Sequence, residues 1–241
     1  MNNKFNKLII PQSKSTKLYK NSNKNLKIII QSFEKNDEIN LEKIILIIGN
    51  NLIFGKRIYE FINEEMELKI LPNQEYMLIN LNSFPLKLYF SDNPNLHNII
   101  YDPYVYENQV HINIDPINFK NENKYLLIPN GFIDTLSKWY SIKYTYQFEN
   151  RIFIKPHIGL SIQRHKYRSE NWQVIYGTPI VISGDKVYYN TKVNDQFHHP
   201  VETIHTIINP TNEWIGIIER YEGKFDEKDI ERIFNPNNYF D

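Results

Sequence analysis

The chain has 241 residues, 28 Lys+Arg balanced by 28 Asp+Glu, and no cysteine. Balanced charge argues against a wholesale binder of nucleic acid or of an anionic membrane surface. The missing cysteine removes disulfide scaffolds, thiolate zinc sites and cysteine nucleophiles, and a 41% hydrophobic, 14% aromatic composition leaves ample material for a core.

No apolar run approaches the ~20 residues that span a bilayer. The richest, Ile44–Phe54, is interrupted by Gly49, Asn50 and Asn51. The first residues lack the apolar core and cleavage site of a signal peptide, so a cytoplasmic protein without a membrane partner is expected. Alanine is absent while Ile, Asn and Lys abound, which reads as the codon bias of an AT-rich genome.

In chain order, residues 1–29 carry seven lysines (Lys4, Lys7, Lys14, Lys17, Lys20, Lys24 and Lys27) and no acid. This reads as a solvated terminus, with an anionic-surface tether as the alternative. Short β-branched and aromatic runs follow at Leu26–Ile30, Lys43–Ile48, Met66–Ile70, Tyr76–Asn80 and Leu86–Phe90, punctuated by turn formers such as Pro72-Asn73 and Ser91-Asp92-Asn93-Pro94. This spacing predicts strands and turns. A helical stretch is placed near Lys56–Glu65, and irregular loops over residues 91–123. From about Trp139 the strands become denser, and five of the seven histidines fall in residues 157–205. The predicted division is therefore a β-rich accessory domain over residues 1–135 and a second domain over 136–241.

The segment Gly159–Trp172 carries the chemistry. In a strand, residues two apart share a face, so Gln163 and His165 point the same way. Glu170 follows after a turn and shares parity with Trp172, Val174 and Tyr176, and Gly177 starts the next turn. A later segment, His199–Asn209, delivers His205 from another strand. An amide oxygen, two imidazoles and a carboxylate make a site for a divalent metal. Zinc accepts such ligands and keeps a position open; Co2+, Mn2+, Ni2+ or iron would serve as well.

These two segments resemble the paired motifs of the cupin superfamily. Gln163, His165, Glu170 and Gly177 keep the first motif's spacing, and Pro200, His205 and Asn209 that of the second. Leu160-Ser161-Ile162-Gln163-Arg164-His165 with Arg168-Ser169-Glu170 and Trp172 is similar to the type II mannose-6-phosphate isomerases, which also form the C-terminal part of bifunctional mannose-1-phosphate guanylyltransferase/isomerases. Arg151–Pro156, Trp139, Ile218-Glu219, Gly223 and Glu227-Lys228-Asp229-Ile230 extend the resemblance over about residues 138–235. His157 and Glu202 stand where that family carries glycine, so departures in loop geometry are expected. The glycine-rich nucleotide signature of the guanylyltransferase half is absent.

The resemblance implies an all-β protein, with a C-terminal cupin barrel (a double-stranded β-helix, or jelly roll) and an N-terminal β-rich accessory domain. It implies a metal-dependent interconversion of mannose 6-phosphate and fructose 6-phosphate, feeding GDP-mannose and polysaccharide synthesis, in a protein that could pair as a homodimer. The metal would sit on Gln163, His165, Glu170 and His205. Arg168, Glu170 and Glu219 are the candidate catalytic groups. The base is open among Glu170, Glu219, His198, His199 and a metal-activated water. Arg151, Lys155, Arg168 and His199 are the candidate contacts to the sugar phosphate. For Arg168 the alternative is an ion pair with Glu170, and for Arg151 and Lys155 a solvated strand face. The competing functions are a non-catalytic sugar-phosphate-binding cupin and a metal cupin acting on another sugar phosphate or nucleotide sugar. Ile128–Asp134 has the proline–glycine spacing of a second cupin motif with Asp134 in the histidine's place, so a degenerate, metal-free cupin is one reading of the first half.

Overall fold

The computed structural model describes residues 6–35, 37–224 and 229–238. Lys4 of the basic head and the Glu227-Lys228 pair of the resemblance lie outside them. The chain forms two compact units: Met1–Asp102 with Asp185–Val187, and Pro103–Gly184 with Tyr188–Asp241.

The first unit holds β1 (Asn6–Ile10), β2 (Lys14–Ser15), β3 (Leu18–Lys20), β4 (Leu26–Ser32), β5 (Ile44–Ile48), β6 (Asn51–Phe54), β7 (Glu67–Ile70), β8 (Glu75–Asn80), β9 (Leu86–Phe90) and β10 (Asn98–Tyr101). The strands predicted at 26–30, 43–48, 66–70, 76–80 and 86–90 are all present. Where a helix was expected, Gly55–Glu60 forms 3₁₀ turns instead. One antiparallel sheet runs β1-β9-β4-β7; the other contains β10-β3-β8-β5-β6, with β2 beside β8. This is a jelly-roll winding, in which most strands find their partners far along the chain, the β5-β6 hairpin excepted. Every second residue points into one buried cluster: Leu26, Ile28 and Ile30 on β4, Leu86, Leu88 and Phe90 on β9, and Ile44, Leu46 and Ile48 on β5, a strand buried on both faces.

The second unit adds α1 (Pro116–Glu122), β11 (Asp134–Ser137), β12 (Ser141–Thr145), β13 (Asn150–Ile154), β14 (Ile162–His165), β15 (Arg168–Tyr176), β16 (Ile180–Ser183), β17 (Lys186–Tyr188), β18 (Gln196–His199), β19 (His205–Ile208), β20 (Ile215–Gly223) and β21 (Ile230–Phe234). Most of β17 belongs to the first unit, where its Lys186 pairs with Asn51. One sheet of the second unit runs β11-β12-β13-β20-β15-β18; the other contains β16-β19-β14-β21. Thus β13-β20-β15-β18 repeats the order β1-β9-β4-β7, and β14-β19-β16 repeats β3-β8-β5. The expected C-terminal barrel is present, and the first unit follows the same winding.

Three features depart from the sequence reading. Residues 103–135, grouped there with the first half, pack into the second unit: Phe119, Leu126 and Ile128 share a buried cluster with Ile142, Tyr144 and Phe153. Ile128–Asp134 leads into β11 and is not a strand of the first barrel, whose place for that motif is taken by β8. The stretch expected to be irregular contains α1, started by Asp115, whose side chain accepts from Asn118 N at 2.7 Å, with Pro116 in the first turn.

His157 and Glu202 adopt left-handed backbone, with φ of 57° and 61°. The loops keep the conformation that suits glycine, with side chains that bear its cost of roughly 1–2 kcal/mol each. Gly177 has φ 77°, and a Cβ there would lie 2.7 Å from Ile215 Cγ2. Gly177→Ala should therefore lower the melting temperature of the second unit by several degrees, whereas Glu202→Gly, at an exposed site, should leave it equal or higher. Thermal unfolding followed by circular dichroism checks both.

Candidate functional site

The tight Lys166-Tyr167 link between β14 and β15 brings His165 and Glu170 together inside the second barrel. Pairing of β14 with β19 sets Gln163 opposite His205. Pairing of β15 with β18 sets Glu170 opposite His199. His165, Glu170, His199 and His205 are all buried. His165, Glu170 and His205 each present a ligand atom within 4.8 Å of the others. Gln163 lies on the wall of the same cavity, with its Oε1 accepting from Ser161 Oγ at 2.9 Å.

The donor accounting at this cluster is short of protons. His205 Nδ1 lies 2.9 Å from the Thr203 carbonyl. A carbonyl only accepts, so Nδ1 carries the proton and Nε2 is a bare lone pair. That Nε2 has no hydrogen-bond partner among the described residues, yet sits 3.5 Å from Glu170 Oε2. Burial lowers the affinity of His205 for a second proton. His165 Nε2 is 2.9 Å from Glu170 Oε1 and 3.2 Å from Arg168 Nη2. A carboxylate only accepts and a guanidinium only donates, so this Nε2 cannot satisfy both: protonated it bonds Glu170, bare it faces Arg168. The His205 Nε2 lone pair and this ambivalent His165 Nε2 therefore meet at one carboxylate. Such an arrangement suits a shared cation, and a divalent metal fits the donor set.

Burial alone would raise the Glu170 carboxyl, but His165, His205 and Arg168 outweigh it and hold it down to about 2. Arg168 Nε donates to Glu170 Oε1 at 3.0 Å, and Trp172 Nε1 donates to Oε2 at 3.1 Å. Arg168 is held in turn by the buried Asp229, whose Oδ2 lies 3.6 Å from Nη1 and whose Oδ1 accepts from Lys166 N at 2.6 Å. His199 stacks edge-on against Trp172 and contacts Ser183 Oγ at 3.0 Å. Burial, with His205 beside it, drives its pKa down to about 3, so it is neutral.

Glu219 on β20 lines the same cavity. Burial and the nearby Glu170 push its carboxyl up to about 7, and Asn150 Nδ2 donates to its Oε1 at 2.8 Å.

The remaining sequence candidates point elsewhere. Arg151 shares its strand face with Phe153, but that face meets the outer cluster; Arg151 pairs with Glu149 at 3.2 Å. Lys155 lies over the Tyr106 ring, 4.3 Å from its centroid. His198 is exposed and bonds Asn171 Oδ1 at 2.8 Å. Sequence reasoning passed over Lys138, Lys143 and Arg232, which line the cavity from β12 with its preceding turn and from β21, and did not give Asp229 a role. Only the pairing of β21 with β14, which sets Arg232 opposite Gln163, reveals that these strands border the site.

Residues 120–235 match the family model described as mannose-6-phosphate isomerase C-terminal. The alginate biosynthesis protein AlgA of Pseudomonas aeruginosa is 37% identical over 83 residues, 34% of this chain and 17% of that protein. The xanthan biosynthesis protein XanB of Xanthomonas campestris is 37% identical over 84 residues, 34% and 18%. The mannose-1-phosphate guanylyltransferase of Escherichia coli is 35% identical over 80 residues, 33% and 16%. The chain thus spans under a fifth of the length of these relatives. Among solved structures, the oxalate decarboxylase of Lactobacillus farciminis aligns with 94% of this chain and 78% of its own at 11% identity and TM-score 0.36. A cupin-2 domain from Rhodospirillum rubrum aligns over 39% and 65% at 13% and TM-score 0.35.

If the lone-pair cluster holds a cation, divalent metal should raise the melting temperature of the second unit. At one hundred times Kd the stabilisation is about 2.7 kcal/mol, a rise of roughly 5–10 °C. His205→Ala and Glu170→Gln should abolish the rise and the metal content measured by plasma mass spectrometry. An undiminished metal content in His205→Ala would refute the assignment.

Proposed function

We propose, from a second unit that over residues 120–235 belongs to the mannose-6-phosphate isomerase C-terminal family, that this unit is a metal-dependent aldose–ketose isomerase. Its substrate pair is mannose 6-phosphate and fructose 6-phosphate, and its product supplies nucleotide-sugar and polysaccharide synthesis in the cytoplasm. The observation that carries the reading is one cavity lined by both Glu170, part of a cation-seeking His165–Glu170–His205 cluster, and Glu219, a carboxyl tuned close to neutral pH. The names of the matched relatives, in alginate and xanthan biosynthesis and mannose-1-phosphate guanylyl transfer, support the same chemistry. No described helix is long and apolar enough to cross a membrane.

His165, Glu170 and His205 would hold the divalent ion, with Gln163 beside them as a further oxygen donor. When bound, such an ion supplies Lewis-acid polarisation of a sugar oxygen and stabilises developing negative charge. The protein's own groups do the rest. Glu219 keeps one oxygen on Asn150 and leaves the other for the substrate. A carboxyl poised near the working pH is an effective base and an effective returning acid. It takes the C2 proton of the aldose to give the enediol and returns it to C1 of the ketose, while the hydroxyl proton passes from O2 to O1. Arg168, with its nitrogens directed at Glu170, His165 and Asp229, holds the carboxylate in place beside the substrate. His199, neutral and wedged against Trp172, holds that wall of the site.

The test is conversion of mannose 6-phosphate to fructose 6-phosphate by protein stripped with chelator and refilled separately with zinc, cobalt, manganese and nickel. Refilled protein should turn over and stripped protein should not. Glu219→Gln should keep its metal but lose about 10²–10⁴-fold in kcat. The base acts as its anion, so the wild-type rate should climb as pH rises through about 7, a rise absent from Glu219→Gln. Sugar-phosphate binding without turnover under any metal would replace the isomerase with a non-catalytic binding cupin.

A further inference from the structure

The cavity of the second unit contains more positive than negative side chains. Lys138, Lys143, Arg168 and Arg232 line it, against Glu170 and Glu219. Arg168 is engaged by Glu170 and Asp229 at its floor. The other three cations come from outside the strands that supply the metal-type ligands. Lys138 sits in the turn before β12, Lys143 on β12, and Arg232 on β21. β12 is hydrogen-bonded beside β13, and β21 beside β14, so the two strands border the barrel in its two separate sheets. On β12, Ser141 and Lys143 face the cavity, while Ile142 and Tyr144 are buried in the outer cluster. On β21, Ile230 and Arg232 face it.

This arrangement has the chemistry of a dianion subsite. An ammonium is a compact point charge, and a guanidinium offers a planar fork of donors; together they match a phosphomonoester with its three terminal oxygens. The arginine and lysine suggested by the sequence, Arg151 and Lys155, do not line this cavity.

We propose that Lys138, Lys143 and Arg232 grip the phosphate group of the substrate, so that the sugar's reacting end is presented to the His165–Glu170–His205 cluster and Glu219. The inference rests on the sugar-phosphate reading above but not on turnover.

Binding is measured by titration calorimetry of the metal-refilled protein with mannose 6-phosphate, mannose and inorganic phosphate. The wild type should bind mannose 6-phosphate at least tenfold more tightly than mannose, and inorganic phosphate should compete. Each of Lys138→Met, Lys143→Met and Arg232→Met should weaken mannose 6-phosphate at least fivefold, the triple variant at least a hundredfold, with mannose affinity unchanged. Arg151→Met and Lys155→Met serve as controls and should bind like wild type. If the triple variant fails to fold, the single Arg232→Met, at an exposed position, decides. Affinity for mannose 6-phosphate within twofold of wild type in the folded triple variant, or in that single, overturns the subsite. So does a wild type that binds neither mannose 6-phosphate nor inorganic phosphate. Binding lost in the variants of a wild type that never isomerises its ligand leaves the subsite standing and removes the isomerase. Turnover with an unchanged KM in the variants does the reverse.

Discussion

The second unit is organised around a buried charge cluster centred on Glu170. Glu170 is almost sealed from water, and an isolated carboxylate there would cost several kcal/mol. The fold offsets that cost with the Arg168 fork, the Trp172 indole and two imidazoles. Each of those partners is itself fixed. Asp229 holds Arg168 and the turn at Lys166; the Thr203 carbonyl fixes the tautomer of His205. Yet His205 faces Glu170 with a lone pair rather than a proton, the one edge of the carboxylate's surroundings that suits a cation. The residues proposed to hold a cation and those that stabilise the buried charge of this barrel are thus largely the same.

Much of this was legible in the sequence because it is local. The apolar runs of β4, β5, β7, β8 and β9, alternating in burial in β4, β7 and β9 and continuous in β5 and β8, are local signals, and the two-residue spacing of Gln163 and His165 puts both on one face by strand geometry alone. What was not legible is non-local. Parity says that Arg151, Phe153 and Lys155 share a face but not which face meets the cavity; the packing of Phe153 against Phe119 and Tyr144 settles that. The division at residues 135/136 missed the packing of 103–135 because Phe119, Leu126 and Ile128 find their partners on β12 and β13, beyond any window of local pattern. Asp229 and Arg232 escaped as site residues for the same reason, since only strand pairing carries β21 to β14.

The backbone is more faithful to the resemblance than the side chains are. His157 and Glu202 replace expected glycines, yet both positions keep positive φ. His157 is tied down by a 2.7 Å contact with Asn212, and the amide of Glu202 donates to the His165 carbonyl at 2.7 Å. That last bond links the loop before β19 to the strand carrying His165. Its requirement for a particular chain direction explains why the left-handed conformation persists when its usual residue is gone.

The first unit shows what the same winding does without a cluster of metal-type ligands among its described residues. Its strands β3 and β8 occupy the places of β14 and β19, and the pairing that sets Gln163 opposite His205 there sets Tyr19 opposite Tyr76. The two rings stack with centroids 5.3 Å apart, and Tyr76 finds a hydrogen-bond partner in His97 at 2.8 Å. Around them β4, β5 and β9 contribute apolar side chains to one continuous cluster, each worth about 1.5–3 kcal/mol when fully buried. Among the described residues this interior groups no three metal-type ligands, although His97 Nε2, Asn21 Oδ1 and Ser22 Oγ are buried without hydrogen-bond partners. The contrast argues that the winding alone does not dictate a metal site. In the second barrel His165, Glu170 and His205 converge within ligand distance of one another, and it is that convergence, not the winding, that suits a cation.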